Sequence, residues 1–341
     1  MKTFPHRYNS DMTKKIAVVG VGGRTGTLFA YEMRNSAQIL GVARRAQMDD
    51  IKDGNILVAK QGGKPTRFEC EVIEEDAFTK ETAPDFIFLT TKNPVAPSVK
   101  YYYQRVQQEN PPDLILSQNG VFAAEEARTE LERIFGSNAQ RIRIIRVSLF
   151  NPVSMEKTAD NTVISYFVPI RLAFGAAFGP DEIQDLRGLF LEAELEAEEI
   201  ASENVKNMEF SKLFTNLLGV SSSSYGLTIE EGFADKKVFE EEIKSLREYA
   251  RTVKESGGRF LNLHHYPIRL YASLLSSLPL PLLSLFRKQI AKVIAKGRGR
   301  KEKGNIDEID YYNGAVVKIG ERFNVDTPMN RKICQTMKAR G

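Results

Sequence analysis

The chain has 341 residues, 42% hydrophobic and 27% charged, enough for one large domain or two ordinary ones with a proper core. A net charge of +4 is too mild to argue for nucleic acid, and Cys70 and Cys334 make neither a disulfide framework nor a metal-ligand cluster. With only His6, His264 and His265, a zinc site or a serine–histidine triad is not expected, so an enzyme built from this chain would take its proton donor from another residue type. The opening stretch MKTFPHRYNSDMTKK has no apolar core, so the expectation is a reduced, cytoplasmic setting without metal.

In chain order, KKIAVVGVGGRTGTLFAYEM (14–33) reads as an apolar strand, a glycine cluster and a helix. The spacing Gly20-x-Gly22-x-x-x-Gly26, with Gly23 as an extra glycine, is one residue longer than the usual dinucleotide fingerprint. Strand before and helix after point to a pyrophosphate seated on the helix N-terminus; the bland alternative is an ordinary turn. A second strand, AQILGVARRAQ (37–47), ends in Arg44 and Arg45 where an NAD site usually has an acid. Guanidinium groups suit a 2′-phosphate, so NADP is expected over NAD, against the alternative of two solvated arginines. DFIFLTTKNPVAP (85–97) and DLILSQNGVFAAEEARTELERIF (113–135) are further strands. The carboxyl ends of parallel strands form the ligand crevice, which would put Lys92 and Asn119 beside the cofactor unless these are mere turn formers.

From Asn204 onward strand signals fade and helical periodicity takes over, as in FADKKVFEEEIKSLREYARTVKES (233–256). In MEFSKLFTNLLG (208–219), Phe210, Leu213, Phe214 and Leu217 make an apolar stripe, with Lys212 and Asn216 together on the other side. A helical wheel calls that face solvated; the lining of an interdomain cleft reads the same. LYASLLSSLPLPLLSLF (270–286), followed by the basic RKQIAKVIAKGRGRK (287–301), could sit at a membrane surface. Pro279 and Pro281 interrupt it, so the expectation is helical core followed by a solvated basic helix. NIDEIDYYNGAVVKIG (305–320) reads as one helix with the stripe Ile309, Tyr312, Val316, Ile319 and Phe323. Glu308 falls at the edge of that stripe and Asp310 opposite. The bland account of Glu308 is a first-turn acid favoured by the helix dipole.

These stretches together resemble the ketopantoate reductases (2-dehydropantoate 2-reductases) from about residue 14 to about 338. The marks are the glycine loop, VAR closing the second strand, TTK at 90–92, QNG at 118–120, FSKLFTNLLG at 210–219 and DEIDYYNGAVVKIGERFNVDTPMN at 307–330. The resemblance implies an α/β Rossmann-type domain followed by an all-helical domain, like that of 6-phosphogluconate dehydrogenase, with the active site between them. The expected boundaries are 14–202 for the NADP-binding domain and 203–341 for the helical substrate and dimerisation domain, the chain forming a homodimer. It implies reduction of ketopantoate to pantoate with NADPH, in pantothenate synthesis. Lys212 would be the general acid, Asn119, Asn216 and Glu308 would meet substrate, and Gly20, Gly22, Gly23, Gly26, Arg44, Lys92 and Asn119 the cofactor. Asn313 would be structural.

Three departures accompany the match. Where the family has a second helix asparagine this chain has Val220 followed by SSSS, the family's serine motif before the glutamate is absent, and the glycine loop carries its extra residue. The hydride-transfer parts are kept while the substrate-recognition parts have changed. Any such substrate is an anion, which suits Lys212 together with Arg298 or Arg300. The competing readings are a paralogue reducing another keto acid, a non-catalytic NADP(H)-binding redox sensor, and a peripheral membrane protein using 270–301. Retention of Lys212 and Glu308 argues against the sensor.

Overall fold

Apolar runs that end in turn formers become buried strands. A computed structural model describes residues 14–107, 109–264, 266–298 and 306–340; His6, His265, Arg300 and the side chain of Arg298 lie outside the described residues. Twelve strands are found among the described residues: β1 (Lys15–Val19), β2 (Gln38–Ala43), β3 (Ile56–Lys60), β4 (Thr66–Arg67), β5 (Glu71–Glu74) and β6 (Phe86–Leu89). They continue as β7 (Asp113–Leu116), β8 (Ile144–Leu149), β9 (Val153–Lys157), β10 (Thr162–Tyr166), β11 (Arg171–Phe178) and β12 (Glu196–Glu199).

The main sheet has the order β12-β11-β8-β7-β6-β1-β2-β5. It is parallel from β5 to β8, with β11 running antiparallel to β8 and β12 parallel to β11. Both faces are covered, which is why the central strands are apolar throughout rather than alternating. Ile16 and Val18 enter one core and Ala17 and Val19 the other. On the first face pack α1 (Arg24–Met33), α2 (Arg45–Lys52) and, further along the chain, α5 (Gln184–Glu192); on the second pack α3 (Ala96–Arg105) and α4 (Ala123–Phe135). The chain moves outward from β1 to β2 and β5, then returns to β6 on the other side of β1. The strand order therefore reverses between β1 and β6, and the ligand crevice opens at their carboxyl ends. A second sheet, β4-β3-β10-β9, had no counterpart in the sequence reading.

After β12 the regular structure of the described residues is helical apart from one isolated bridge, Leu263 to Tyr266. The helices are α6 (Val205–Leu217), α7 (Val220–Ser224), α8 (Ile229–Ala234), α9 (Lys236–Glu255), α10 (Ile268–Ser277), α11 (Leu280–Leu285), α12 (Arg287–Arg298), α13 (Asn313–Arg322) and α14 (Pro328–Lys338). Among the described residues no helix is long and apolar enough to cross a membrane. Phe210, Leu213, Tyr249, Val316 and Ile319 form the helical core, and Val121, from the loop after β7, is buried in the same cluster.

Three salt-linked or polar clusters fasten the fold. Arg143 donates from Nε to Asp113 at 2.8 Å and from its two terminal nitrogens to Asp185 at 2.9 and 2.7 Å, tying α5 to the sheet. Burial alone would raise the Asp185 carboxyl; the hydrogen bonds and charge of Arg143 outweigh it and hold that group below its ordinary value. Asn313 donates to Asn330 at 2.8 Å, and Asn330 donates to Glu248 at 2.7 Å, joining α13 and α14 to α9. Arg146, on β8, donates to Glu209, on α6, at 2.6 Å, with both side chains almost wholly buried.

Two expectations are corrected here. Residues 306–320 are not one helix: a 3₁₀ segment covers Ile306–Tyr311, Tyr312 breaks it at φ −105° and ψ −100°, and α13 begins at Asn313. Ile309, Tyr312, Val316 and Ile319 are buried, but Phe323 is 39% exposed beyond the end of α13. The apolar run 270–286 is core only in part, through Ala272 and Leu283 with Leu275, Leu278 and Leu280 packed against the same clusters. Ile268, Ala272 and Leu283 are buried, whereas Leu270, Tyr271, Leu274, Leu282, Leu285 and Phe286 are exposed.

Candidate active site

The glycine loop joins β1 to α1 at the switch point. Gly20 donates to the Val42 carbonyl at 2.9 Å, and Gly23 donates back to Gly20 at 2.9 Å, closing a turn. Gly23 is the N-cap of α1 and offers no side-chain cap, so the first amides of the helix stay directed at whatever approaches the loop. A Cβ on Gly26 would lie 2.3 Å from the Gly20 carbonyl oxygen and 2.7 Å from Thr90 Oγ1, so only glycine lets α1 pack this closely on the loop. Gly22 packs against Gln47. The extra residue is thus absorbed as a full turn, Gly20–Gly23, before the helix starts at Arg24. The cradle fits a dinucleotide's phosphates by shape and by donor chemistry. At the neighbouring strand ends, Thr91 Oγ1, Asn93 Oδ1 and Gln118 Oε1 are buried with no hydrogen-bond partner, leaving acceptors for a polar ligand.

Arg44 follows β2 directly and caps α2 with its side chain exposed. Since Val42 holds the glycine loop, Arg44 stands on the loop's flank. Arg45 lies 3.4 Å from Asp49 and 3.6 Å from Glu74. Lys92, after β6, is exposed at the same edge and does not line the cavity described next.

A cavity of about 780 Å³ lies between the carboxyl edge of the sheet and the helical half. Arg24 and Thr25 of the first turn of α1 line one end, and Asn119, Lys212, Asn216 and Glu308 also line it. Three of these join in one hydrogen-bond chain. Asn216 Nδ2 donates to Asn119 Oδ1 at 3.0 Å, Asn119 Nδ2 donates to the Tyr312 hydroxyl at 3.1 Å, and Tyr312 donates to Glu308 at 3.3 Å. The chain crosses α6, the loop after β7, and the 3₁₀ segment. Asn93 also donates to the Asn119 carbonyl at 2.8 Å, fixing the loop from the β6 side. Gly120 sits at φ +98°, and a Cβ there would be 3.0 Å from the Tyr311 carbonyl oxygen, so the loop can press against the segment bearing Tyr312 only with glycine. Lys212 Nζ lies 5.0 Å from the Phe150 ring centroid, within cation–π range, and lines the same cavity as this polar chain.

Glu308 is not in the first turn of an α-helix, the position on which the dipole account was built. Glu308 sits in the 3₁₀ segment before α13, is 9% exposed, and accepts from Tyr312; Asp310 is exposed and 2.7 Å from Lys338. Tyr312 was read from the sequence as part of an apolar stripe, because periodicity registers its ring and not its hydroxyl. The Arg146–Glu209 pair was also missed. Besides Glu209, Arg146 donates to the carbonyls of Leu116 at 3.0 Å and Gln118 at 2.6 Å, and so supports the loop that carries Asn119. An arginine inside the otherwise apolar strand IIRVSL was the available signal. Among the described residues no group of three or more His, Cys, Asp or Glu side chains could hold a metal ion. Chemically, this part of the cavity sets the Lys212 cation beside the carboxamides of Asn119 and Asn216 and the Glu308 carboxylate, with the Arg146–Glu209 pair also on the lining.

Comparison with known proteins gives the family and the fold. A family model described as ketopantoate reductase PanE/ApbA matches residues 16–146, and the model for that family's C-terminal part matches 301–341, together just over half of the chain. The PanE/ApbA family ketopantoate reductase of Ralstonia eutropha JMP134 superposes with a TM-score of 0.71 at 16% identity, covering 95% of this chain and 97% of its own. A ternary structure of D-mandelate dehydrogenase with NADH and anilino(oxo)acetate gives 0.71 at 15% identity, with the same coverages. The 2-dehydropantoate 2-reductase of Geobacter metallireducens GS-15 gives 0.68 at 14%, covering 96% of this chain and all of its own. At such identities these likenesses establish the fold: a parallel α/β domain followed by a helical one. A search of curated proteins returned no match. With both ends of its sequence matched by the two models, the chain belongs to the ketopantoate reductase (PanE/ApbA) family.

Proposed function

We propose that this protein reduces a 2-keto acid with NADPH, its Rossmann-type domain spanning 14–202 and its helical domain 203–341. One observation carries the reading: Lys212, Asn119, Asn216 and Glu308, from three separate segments, line a single cavity that begins at the first turn of α1, just after the glycine loop. Seated on that loop, a reduced nicotinamide would supply the hydride. The protein's part is to hold the keto acid, to stabilise negative charge as it develops on the carbonyl oxygen, and to protonate that oxygen. The Lys212 ammonium suits both of the last two tasks, and becomes a neutral amine that regains its proton from solvent. Asn119 and Asn216 are fixed by each other, so they can hold a hydroxy- or keto-acid oxygen without first being ordered. Glu308 ends the chain as an acceptor, suited to a hydroxyl on the substrate. Arg44 at the flank of the glycine loop favours NADPH over NADH.

Ketopantoate is the family's namesake substrate, and its reduction would place the protein in pantothenate synthesis. D-mandelate dehydrogenase shares the fold, so a panel of 2-keto acids is the appropriate test. Loss of NADPH absorbance with at least one acid is expected. Tight NADPH binding without turnover of any acid would replace this reading with that of a redox sensor.

A further inference from the structure

The cavity is chemically two-ended. Its charged lining groups (Arg24, Arg146, Glu209, Lys212 and Glu308) come from the sheet, α1, α6 and the 3₁₀ segment. The far wall is built by α10, α11 and α12 through Leu274, Leu278, Leu283, Phe286 and Ile290. Among the described residues no charged side chain from these three helices lines it. The basic residues Arg287, Lys288 and Lys292 of α12 do not line the cavity. Leu274 is 42% exposed and Phe286 54%, so the apolar surface continues from the interior to the rim. Contiguous apolar surface left open to water is uncommon on a soluble fold and marks a place where something apolar sits.

Size points the same way. Cavities of about 300–1,000 Å³ take drug-sized ligands. This one holds about 780 Å³, of which the end at Arg24 and Thr25 falls to the cofactor under the reading above. A keto acid of a few carbons would occupy the polar middle beside Lys212 and leave the α10–α12 wall in contact with water. An acid that is polar at one end and apolar along its length matches both ends at once.

We propose that the substrate is a 2-keto acid with an extended apolar chain. Its carboxylate and carbonyl lie at Lys212, Asn119 and Asn216, and its tail lies along α10–α12. The proposal rests on the reductase reading and names the substrate class of that same site. Each methylene moved from water onto the wall should improve binding about fourfold until the wall is covered.

The test is a series of straight-chain 2-keto acids from pyruvate to 2-oxododecanoate. NADPH-linked kcat/KM is measured for each, and affinity for the protein saturated with NADP⁺ is measured by calorimetry. Both should rise about fourfold per methylene. Leu274→Glu puts a charge on the wall at a position already part exposed, so the fold should tolerate it, and the rise should flatten. Leu285→Glu adds the same charge at a residue 73% exposed and outside the cavity, and should leave the slope intact. Turnover of short acids with a flat series in both assays overturns the apolar-tail assignment and leaves the reductase reading standing. No turnover at any length overturns the reductase reading, and the calorimetric series then decides the apolar seat alone: flat affinities sink it, rising affinities that Leu274→Glu abolishes retain it.

Discussion

Arg146→Met asks how much of the site depends on a pair buried beneath it. The substitution keeps an unbranched apolar stem but removes the donors to Glu209, to the Leu116 carbonyl and to the Gln118 carbonyl. Breaking a fully buried ion pair from one side costs about 3–5 kcal/mol, because the remaining charge is stranded. Here Glu209 keeps Lys206 at 3.4 Å, which puts the expected loss near the lower end, about 3 kcal/mol. Glu209→Gln leaves Arg146 its two close carbonyls and an amide oxygen, so its cost should be smaller, about 1–2 kcal/mol. The double variant Arg146→Met/Glu209→Gln should cost less than the two single changes added together. Urea unfolding of all four proteins measures this directly. Because the lost donors support the loop bearing Asn119, Arg146→Met should also raise KM for the keto acid more than KM for NADPH. An Arg146→Met protein less than about 1 kcal/mol weaker, or additive single costs, would refute the argument that this pair is coupled and bears on the loop.

Four further outcomes are expected. Lys212→Ala should lower turnover about 10²-fold or more with NADPH affinity unchanged, and near-normal turnover would remove Lys212 from the chemistry. Arg44→Ala should weaken NADPH about tenfold in calorimetry and leave NADH alone, since an exposed charge-assisted contact sits at the low end of its range; equal losses would reject the 2′-phosphate role. Tyr312→Phe opens the chain from Asn119 to Glu308 and should raise KM about two- to tenfold, and Glu308→Gln should act on kinetics with little change in melting temperature. A lower melting temperature with unaltered rates for both would make the chain a purely structural one. Asp185 is held below its ordinary value, so its contribution is complete above an unfolded value near pH 4 and is lost as pH falls through the lower folded value. Asp185→Asn should therefore cost about 1.5–3 kcal/mol at pH 7, and the gap in melting temperature from the parent should close below about pH 4.

The sheet and the glycine loop were legible because their signals are local. Four residues of unbroken apolar character followed by glycine or asparagine leave few alternatives to a buried parallel strand with its end at the crevice. The polar face of α6 was legible only as a choice between solvent and cleft, because Lys212 and Asn216 share a side either way. What resisted reading was long-range. The Arg146–Glu209 partners lie 63 residues apart, and the Asn119–Tyr312 contact spans 193, so no window of the sequence holds both ends. At 306–311 the local signal itself misled: a 3₁₀ turn and a following α-helix together mimic one helix at 100° per residue, and still leave Glu308 inward and Asp310 outward. The asparagines of the most specific C-terminal stretch, Asn313 and Asn330, serve to bind helices to Glu248, so a diagnostic motif is partly a record of packing.

Val121 gives the loop after β7 a second allegiance. Two residues beyond Asn119 the chain is already buried among Leu213, Ile309 and Val316, so the loop that edges the crevice is shaped by side chains of the other half. Drift in that helical core is therefore not silent. A repacked leucine or isoleucine on α6 or α13, touching neither ligand, shifts the platform on which Asn119 stands. Divergence of substrate preference within this lineage can then proceed through interior residues while every group facing the cavity stays the same.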